Sequence, residues 1–378
     1  MRRFLDYYRQ FEELSPQEVS AELRSKRDEE KARALTEQPA LDLTSAAWHE
    51  PPHPEIVNAA TFALRRAVNA YPDPDAEPLR EALASRHGVE PEHVAAGHGA
   101  GELLRAACQA VLREGDGEGE VAIAWPGWGP LPRLVHEAGG RPVPVALGRE
   151  GAAVPGPLAA AAGPRTRAVA LASPNDPTGV EVSADDVRRL AAGLPERTWI
   201  LLDAALADFG ADLAPLTAEL PRLVVFRSFS KGHAMAGFRA GYAVSADLEL
   251  LARLTPVSGV SATAQAGMTW AAANGERYLP RRRQLAAAQR ERLAGALAGT
   301  GLAFPPGTGP LVWLSSAGHS GPELAAHLAA RRIFITPGSA WGDDRHIRAV
   351  LRGPDATDRL AAALSELPAA GSRSRKRV

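Results

Sequence analysis

Hydrophobic and polar positions along this chain follow two patterns. From residue 55 onward, short apolar runs alternate with stretches of helical period. The runs are Val121 to Trp125 (VAIAW), Ala168 to Ala172 (AVALA), Trp199 to Leu202 (WILL) and Leu223 to Phe226 (LVVF), each bounded by glycine, proline or charge. Continuous apolar runs of that length fit strands buried on both faces. Ile56 to Asn69 and Glu77 to His87 have helical periodicity, and Pro130 to His136 and Ala184 to Ala192 are long enough for helices between strands. Such alternation predicts a parallel sheet with helical crossovers. Beyond residue 255 the pattern changes. Gly275 to Leu297 reads as a long charged helix, followed by strand-like Pro310 to Leu314 and Ile333 to Thr336 with a helix, Pro322 to Ala330, between them.

The first 40 residues read as helical. Ser15-Pro16-Gln17-Glu18 supplies an N-cap, a proline at the first helical position and a Glu three residues after the cap. The charged stretch Val19 to Leu35 then predicts a surface helix. The resulting division is an N-terminal helical arm (1–50) packing with the small domain, a large domain (51–255), a small C-terminal α/β domain (256–370) and a solvated, disordered basic tail (371–378).

Composition narrows the function classes. The 378 residues are 45% apolar and 23% charged, with 43 Lys plus Arg against 44 Asp plus Glu, so the net charge is −1. That balance excludes a nucleic-acid binder working by bulk electrostatics. A single cysteine, Cys108, excludes an intramolecular disulfide framework and a cysteine-cluster zinc site. The N-terminus lacks the apolar core of a signal peptide, and no run approaches the roughly 20 apolar residues of a membrane span. The expectation is a cytoplasmic globular protein with neither nucleic-acid nor membrane partners.

Four segments carry candidate chemistry. Lys231 follows an apolar strand and lies among small hydroxyls and glycines, Ser228-Phe229-Ser230 before it and Gly232 after it. Desolvation and a nearby cation such as Arg239 would lower its pKa, favouring the free amine that a Schiff base needs. The plainer alternative is a lysine paired with a surface carboxylate. Asp203 ends the run Trp199 to Leu202. In open α/β sheets that end of a strand faces the ligand crevice, although an N-cap for a following helix explains the same residue. Ser173-Pro174-Asn175-Asp176-Pro177-Thr178-Gly179 also follows a strand and is equally a loop of turn residues. Gly97-His98-Gly99-Ala100-Gly101-Glu102 opens an apolar helix and offers free backbone N–H groups to a phosphate. His98 and His233 flank these elements and read as exposed or structural.

Together, in this order, the segments resemble the fold type I pyridoxal 5′-phosphate enzymes. The likeness is to the class I/II aminotransferases and their histidinol-phosphate-aminotransferase-like branch. SPNDPTG is similar to the family's SPNNPTG, LLDAALADF to its VLDEAYxxF, and SFSKGHAMAGFRAGY to its TxSKxxGLAGxRxGY. Tyr71-Pro72-Asp73-Pro74 with Leu79-Arg80 resembles YPDP…LR, Pro337 to Gly342 resembles PGxxFG, and His346-Ile347-Arg348 resembles YxR. The likeness runs collinearly from about residue 40 to 365. It implies an α/β fold with a large domain on a mostly parallel seven-stranded sheet flanked by helices, plus a smaller α/β C-terminal domain.

The resemblance also implies roles. Lys231 would tether the cofactor aldehyde and shuttle the Cα proton, Asp203 would pair with the pyridine nitrogen, and Asn175 would hydrogen-bond the ring hydroxyl oxygen. Ser228, Ser230 and Arg239, with the backbone amides of Ala100 and Gly101, would hold the phosphate; arginine brings a fixed fork of donors that lysine lacks. Trp128 would stack on the ring, Arg348 would clamp the substrate carboxylate, and Tyr71 would reach the phosphate of a neighbouring subunit in a homodimer. A carboxylate held in the ring plane favours loss of the Cα proton, and hence transamination between an L-amino acid and a 2-oxo acid.

Three departures bear on substrate and reaction. Leu206 stands where the family's DEAY tyrosine would donate to the ring hydroxyl oxygen. Trp48-His49-Glu50-Pro51 replaces the branch's NEnP segment, which makes Trp48 a candidate substrate contact. Thr336-Pro337 stands near where the branch carries an arginine for the substrate phosphate, which disfavours histidinol phosphate. These departures keep a second outcome on the same fold, an amino-acid decarboxylase, cyclase or eliminating enzyme. A non-catalytic effector-binding domain is the third reading, and retention of Lys231 counts against it.

Overall fold

The computed structural model describes residues 38–114 and 118–367, with positions 15, 17, 18, 20, 21 and 23–27 of the N-terminal segment. The capping signal at Ser15 is used as its residues predict. Ser15 Oγ donates to Glu18 Oε2 at 2.6 Å, and the Glu18 amide donates back to Ser15 Oγ at 3.4 Å. The described positions from 17 to 27 are helical, whereas the rest of the expected stretch to Leu35 and the tail 371–378 lie outside the described residues.

The buried runs form one sheet. After the two-residue strand β1 (Leu41–Asp42) come β2 (Val94–Gly97), β3 (Glu120–Trp125), β4 (Arg141–Ala146) and β5 (Thr166–Ala172), then β6 (Trp199–Asp203), β7 (Leu223–Ser228) and β8 (Gly241–Ser245). Strands β2 to β8 make a seven-stranded sheet in the order β2-β8-β7-β6-β5-β3-β4. The pairs β3–β4, β3–β5, β5–β6 and β6–β7 are parallel; β8 runs antiparallel to both neighbours. Alternation along each strand feeds two cores. Ile200, Leu202 and Val225 point to one face, while Leu201, Val224 and Phe226 point to the other. That is why these strands read as unbroken apolar runs.

Helices cover both faces. In chain order they are α1 (Pro54–Ala67), α2 (Glu77–His87), α3 (Ala100–Leu112), α4 (Leu131–Glu137), α5 (Pro155–Ala160), α6 (Ala184–Gly193) and α7 (Leu248–Leu254). Leu79 and Leu83 of α2 and Val187 and Leu190 of α6 seal the first face. Leu103, Leu104 and Val111 of α3 and Leu250, Leu251 and Leu254 of α7 seal the second. Ser183 caps α6 in a reciprocal box with Asp186.

A further set of elements follows: α8 (Ala262–Asn274), α9 (Leu279–Leu297), α10 (Gly321–Ala329) and α11 (Pro354–Ser365), with β9 (Leu302–Ala303), β10 (Leu311–Ser316), β11 (Ile333–Phe334), β12 (Thr336–Pro337) and β13 (His346–Val350). Strands β12-β13-β10-β9 form a four-stranded antiparallel sheet, and β1 pairs in parallel with β11. The run expected as one strand, Ile333 to Thr336, is therefore two strands that serve different sheets. The expected helix from Gly275 begins instead at Leu279, after one tight turn at Gly275–Arg277. Helix α8 sits with the first core, where Ala264, Met268 and Ala271 are buried, although the sequence division put it in the smaller domain. The N-terminal arm meets the small sheet through strand β1 and Leu43, buried among Leu293, Ile347 and Leu364. Among the described residues no helix is long and apolar enough to cross a membrane.

Candidate active site

The carboxyl ends of β5, β6 and β7 open onto a cleft of about 300 Å³. Crossovers in a parallel sheet leave such a crevice beyond the strand ends, so residues there are aimed at a ligand. Asp203 closes β6 and Ser228 closes β7; Ser230 and Lys231 follow in the next loop, and all four line the cleft. Ala100 and Gly101 from the start of α3, Trp128, and Arg239 from beyond the lysine loop complete this wall. Eight side chains or backbones from five segments thus share one cavity.

Close backbone approach explains the glycines at one end. The residue before α3, Gly99, has φ +99° and provides no side-chain cap, so the helix start is left to other acceptors. Gly241 begins β8 beside it, and a Cβ there would stand 2.5 Å from the Ala100 nitrogen. Gly101 lies under the Trp128 indole, where a Cβ would come within 2.9 Å of Cη2. The lysine loop is tied by its own backbone: Met235 N donates to Phe229 O at 2.9 Å and Ala234 N to Lys231 O at 3.0 Å. Ala234 and Arg239 hold left-handed backbone at φ +61° and +52°, which for non-glycine residues marks an over-determined turn. Arg239 Nη1 donates to Ala236 O at 2.8 Å, which aims the guanidinium at the helix start.

Electrostatics sets the two titrating groups apart. Burial pushes the Asp203 carboxyl up to about 6, against a 2.9 Å hydrogen bond from Ala205 N and the charge of Lys231. Burial depresses the Lys231 ammonium; Asp176 and then Asp203 oppose this, while Arg348 and Arg239 reinforce it. A buried carboxylate short of a cation, a depressed amine and an anion-accepting helix start therefore share one cleft. That donor set fits a small phosphorylated aldehyde with a basic ring nitrogen.

The structure corrects two site residues and qualifies others. Asn175 does not face the cleft. Its Nδ2 donates to Pro126 O and to Thr178 Oγ1, both at 3.1 Å, so the amide is spent inside the loop. The neighbouring Asp176 lines the cavity instead. Trp48 is also set back: it stacks on Phe209 at a centroid distance of 5.3 Å and packs with Leu206, while Ser45, Ala46 and Ala47 form the wall. Leu206 lines the cleft. Arg348 projects from β13 and reaches the loop after β5, where Nη1 donates to Asp176 at 2.8 and 3.1 Å. Tyr71 is 94% exposed and outside the cavity wall. His98 is exposed and His233 buried, which agrees with their non-catalytic reading.

Sequence reasoning missed a buried polar network beneath the lysine loop. Arg227 donates to Asp208 at 3.1 Å and to Asp212 at 2.9 Å. His87 bonds Asp212 at 2.6 Å through Nδ1 and the Tyr242 hydroxyl at 2.8 Å through Nε2. His233 Nδ1 meets the Tyr278 hydroxyl at 2.5 Å, and its Nε2 stands 3.5 Å from Asp208 Oδ2, an ionic contact too long for a good hydrogen bond. The available signal was a charged residue, Arg227, inside a strand that is otherwise apolar.

Comparison with known proteins agrees with this geometry. Residues 40–364 match the family model for aminotransferase class I and II. A histidinol-phosphate aminotransferase of Burkholderia mallei is 33% identical over 351 residues, covering 88% of this chain and 95% of that protein. An aromatic amino acid aminotransferase of Rhodococcus jostii is 33% identical over 330 residues, covering 85% and 89%. Among solved structures, aspartate aminotransferase from Thermus thermophilus with maleate superposes with a TM-score of 0.77 at 25% identity, covering 89% of this chain and 93% of its own. All three are aminotransferases, which supports transamination over decarboxylation, cyclisation or elimination. The chain belongs to the class I and II aminotransferases and is a pyridoxal 5′-phosphate-dependent transaminase acting on amino and 2-oxo acids.

Proposed function

We propose that this enzyme moves the amino group of an L-amino acid with an uncharged, apolar or aromatic side chain to a 2-oxo acid. One observation carries the substrate class. Ser45, Ala46, Ala47 and Leu206 contribute to the lining of the cleft, and the only cations in the described lining are Lys231 and Arg239. A second acidic group on a substrate side chain would find no partner there and would be costly to desolvate. The aromatic amino acid aminotransferase of Rhodococcus jostii is a relative whose name fits the same class.

Pyridoxal 5′-phosphate supplies an electrophilic aldehyde and, through its protonated ring, an electron sink for charge developing at the substrate Cα. Lys231, whose burial favours a free amine, is the tether and the base that takes and returns the Cα proton. Asp203 keeps the ring nitrogen protonated. Ser228, Ser230 and Arg239, with the amides of Ala100 and Gly101, would hold the phosphate, and Trp128 would stack on the ring; all line the cleft. Arg348 clamps the substrate carboxylate. Asp176, not Asn175, is the residue of the loop after β5 that lines the cleft. The partner in assembly is a second copy of the chain. Phe62, Val68 and Tyr71 are 62%, 74% and 94% exposed along and just after α1, which supports a homodimer formed through that surface. A cytoplasmic location belongs to the same reading; it is supported by the lone, buried Cys108, whose thiol burial pushes up to about 12.

An absorbance screen of the holoenzyme against single amino acids tests this function. Conversion of the cofactor spectrum to the amine form by phenylalanine, tyrosine or leucine is expected, with aspartate and histidinol phosphate inert. A preference for either of those two, or no half-reaction with any amino acid, contradicts it. Sedimentation at the mass of one chain contradicts the homodimer.

A further inference from the structure

One charged group in the cleft has no task in transamination as set out above: Asp176. The segment SPNDPTG differs from the family pattern SPNNPTG at this letter alone, so a carboxylate stands where that pattern has a neutral amide. Its partner is Arg348. Arg348 Nη1 donates to Asp176 Oδ1 at 2.8 Å and to Oδ2 at 3.1 Å, and the two side chains are only 12% and 14% exposed. Arg348 Nη2 donates to Thr44 O and, at 3.3 Å, to Thr336 Oγ1. The Trp341 ring lies against the guanidinium with its centroid 5.4 Å from Cζ. Arg348 Nε is buried and has no hydrogen-bond partner. The guanidinium is therefore fixed in place with its charge already balanced, while one donor is left unused.

We propose that Asp176 is a built-in counterion that occupies Arg348 in the resting enzyme and sets how strongly a substrate carboxylate is held. The inference rests on the reading of Arg348 as the carboxylate clamp. A carboxylate arriving at Arg348 meets another of the same sign at hydrogen-bond range in a largely dry setting, where like charges repel far more than in water. Binding through the Nη1 edge then requires Asp176 to give up Nη1, since Nη2 already donates to Thr44 O and Thr336 Oγ1. A ligand that lacks a carboxylate makes no such demand. The pair therefore narrows the advantage that an arginine normally gives a carboxylate over a neutral isostere. Asp176 also touches on the lysine, since it is the charge acting most strongly on Lys231. A carboxylate that displaces it leaves that negative charge beside the amine.

Calorimetric titration of the holoenzyme with two inert probes, 3-phenylpropanoate and its neutral isostere 3-phenylpropanamide, tests the inference. In Asp176→Asn, which keeps the shape and removes the charge, the carboxylate is expected to bind about tenfold tighter or more, with the amide within about twofold. The gain should vanish when Arg348→Gln is added. A purely structural role for Asp176 would shift both probes together. An Asp176→Asn enzyme with no carboxylate-selective gain overturns the proposal while leaving Arg348 as the clamp. A gain that survives Arg348→Gln removes Arg348 from both readings.

Discussion

Asp203 illustrates how a single residue can weaken the fold while serving the reaction. Its ordinary carboxyl value near 3.8 is raised to about 6 by burial in the cofactor-free protein. The folded state then holds the proton more tightly than the unfolded state between those values. Stability is fully present below the lower value and is lost as pH rises through about 6. Allowing for solvent in the open cleft, the cost at neutral pH is about 1–2 kcal/mol. Asp203→Asn removes it, so the cofactor-free variant should melt about 1–3 °C higher at pH 7.5 and no higher at pH 4. The same change should lower transamination by about a hundredfold or more, because the ring nitrogen loses its counterion. Paired melting curves and single-turnover rates check this; a variant that is less stable at pH 7.5 contradicts it. Residue scale is also where the sequence was least legible. Asn175 and Asp176 are adjacent, and only the fold of their loop decides which side chain is spent on Pro126 and Thr178 and which meets the cleft.

At the scale of elements, position in the sheet decided what the sequence disclosed. Strands β5, β6 and β7 are central and buried on both faces, so their apolar runs stood out and their ends fell at Asp203 and Ser228. Edge strand β4 (RPVPVA) is interrupted by prolines, which an edge tolerates because half its N–H groups face outward. Strand β2 (VAAG) is too small-chained to register as an apolar run. The network beneath the lysine loop was equally hidden, since its members come from α2, the turn after β6, β7, the lysine loop, β8 and the residue before α9. Asp208 is its hub: Gly232, next to Lys231, packs so close that a Cβ would lie 2.5 Å from Asp208 Cβ. Burial alone would raise the Asp208 carboxyl, but His233, Arg227 and Arg86 hold it below the usual range. Asp208→Ala leaves Arg227, only 4% exposed, with one partner fewer. It should cost about 3 kcal/mol or more and speed loss of cofactor from the loosened loop. Denaturant unfolding and dialysis against buffer measure the two effects; wild-type values for both would contradict a supporting role for the network.

Across the whole molecule, the cleft depends on contacts that sequence distance conceals. Arg348 on the small antiparallel sheet reaches Asp176, 172 positions away, and Thr44, 304 positions away, so three segments are fixed by one side chain. The family motifs located the pieces, and the two packed cores bring them to one cavity. The N-terminal segment shows the limit of periodicity as a guide. A two-residue strand, Leu41–Asp42, carries no readable period, yet its pairing with Ile333 and Phe334 joins the arm to strand β11 of the smaller domain. The account as a whole requires one amine in that cavity to be the attachment point for the cofactor. Borohydride reduction of the holoenzyme followed by peptide mass mapping reads this directly. The predicted result is a single pyridoxyl phosphate adduct on Lys231, absent from Lys231→Ala; an adduct on another lysine, or none, contradicts the account.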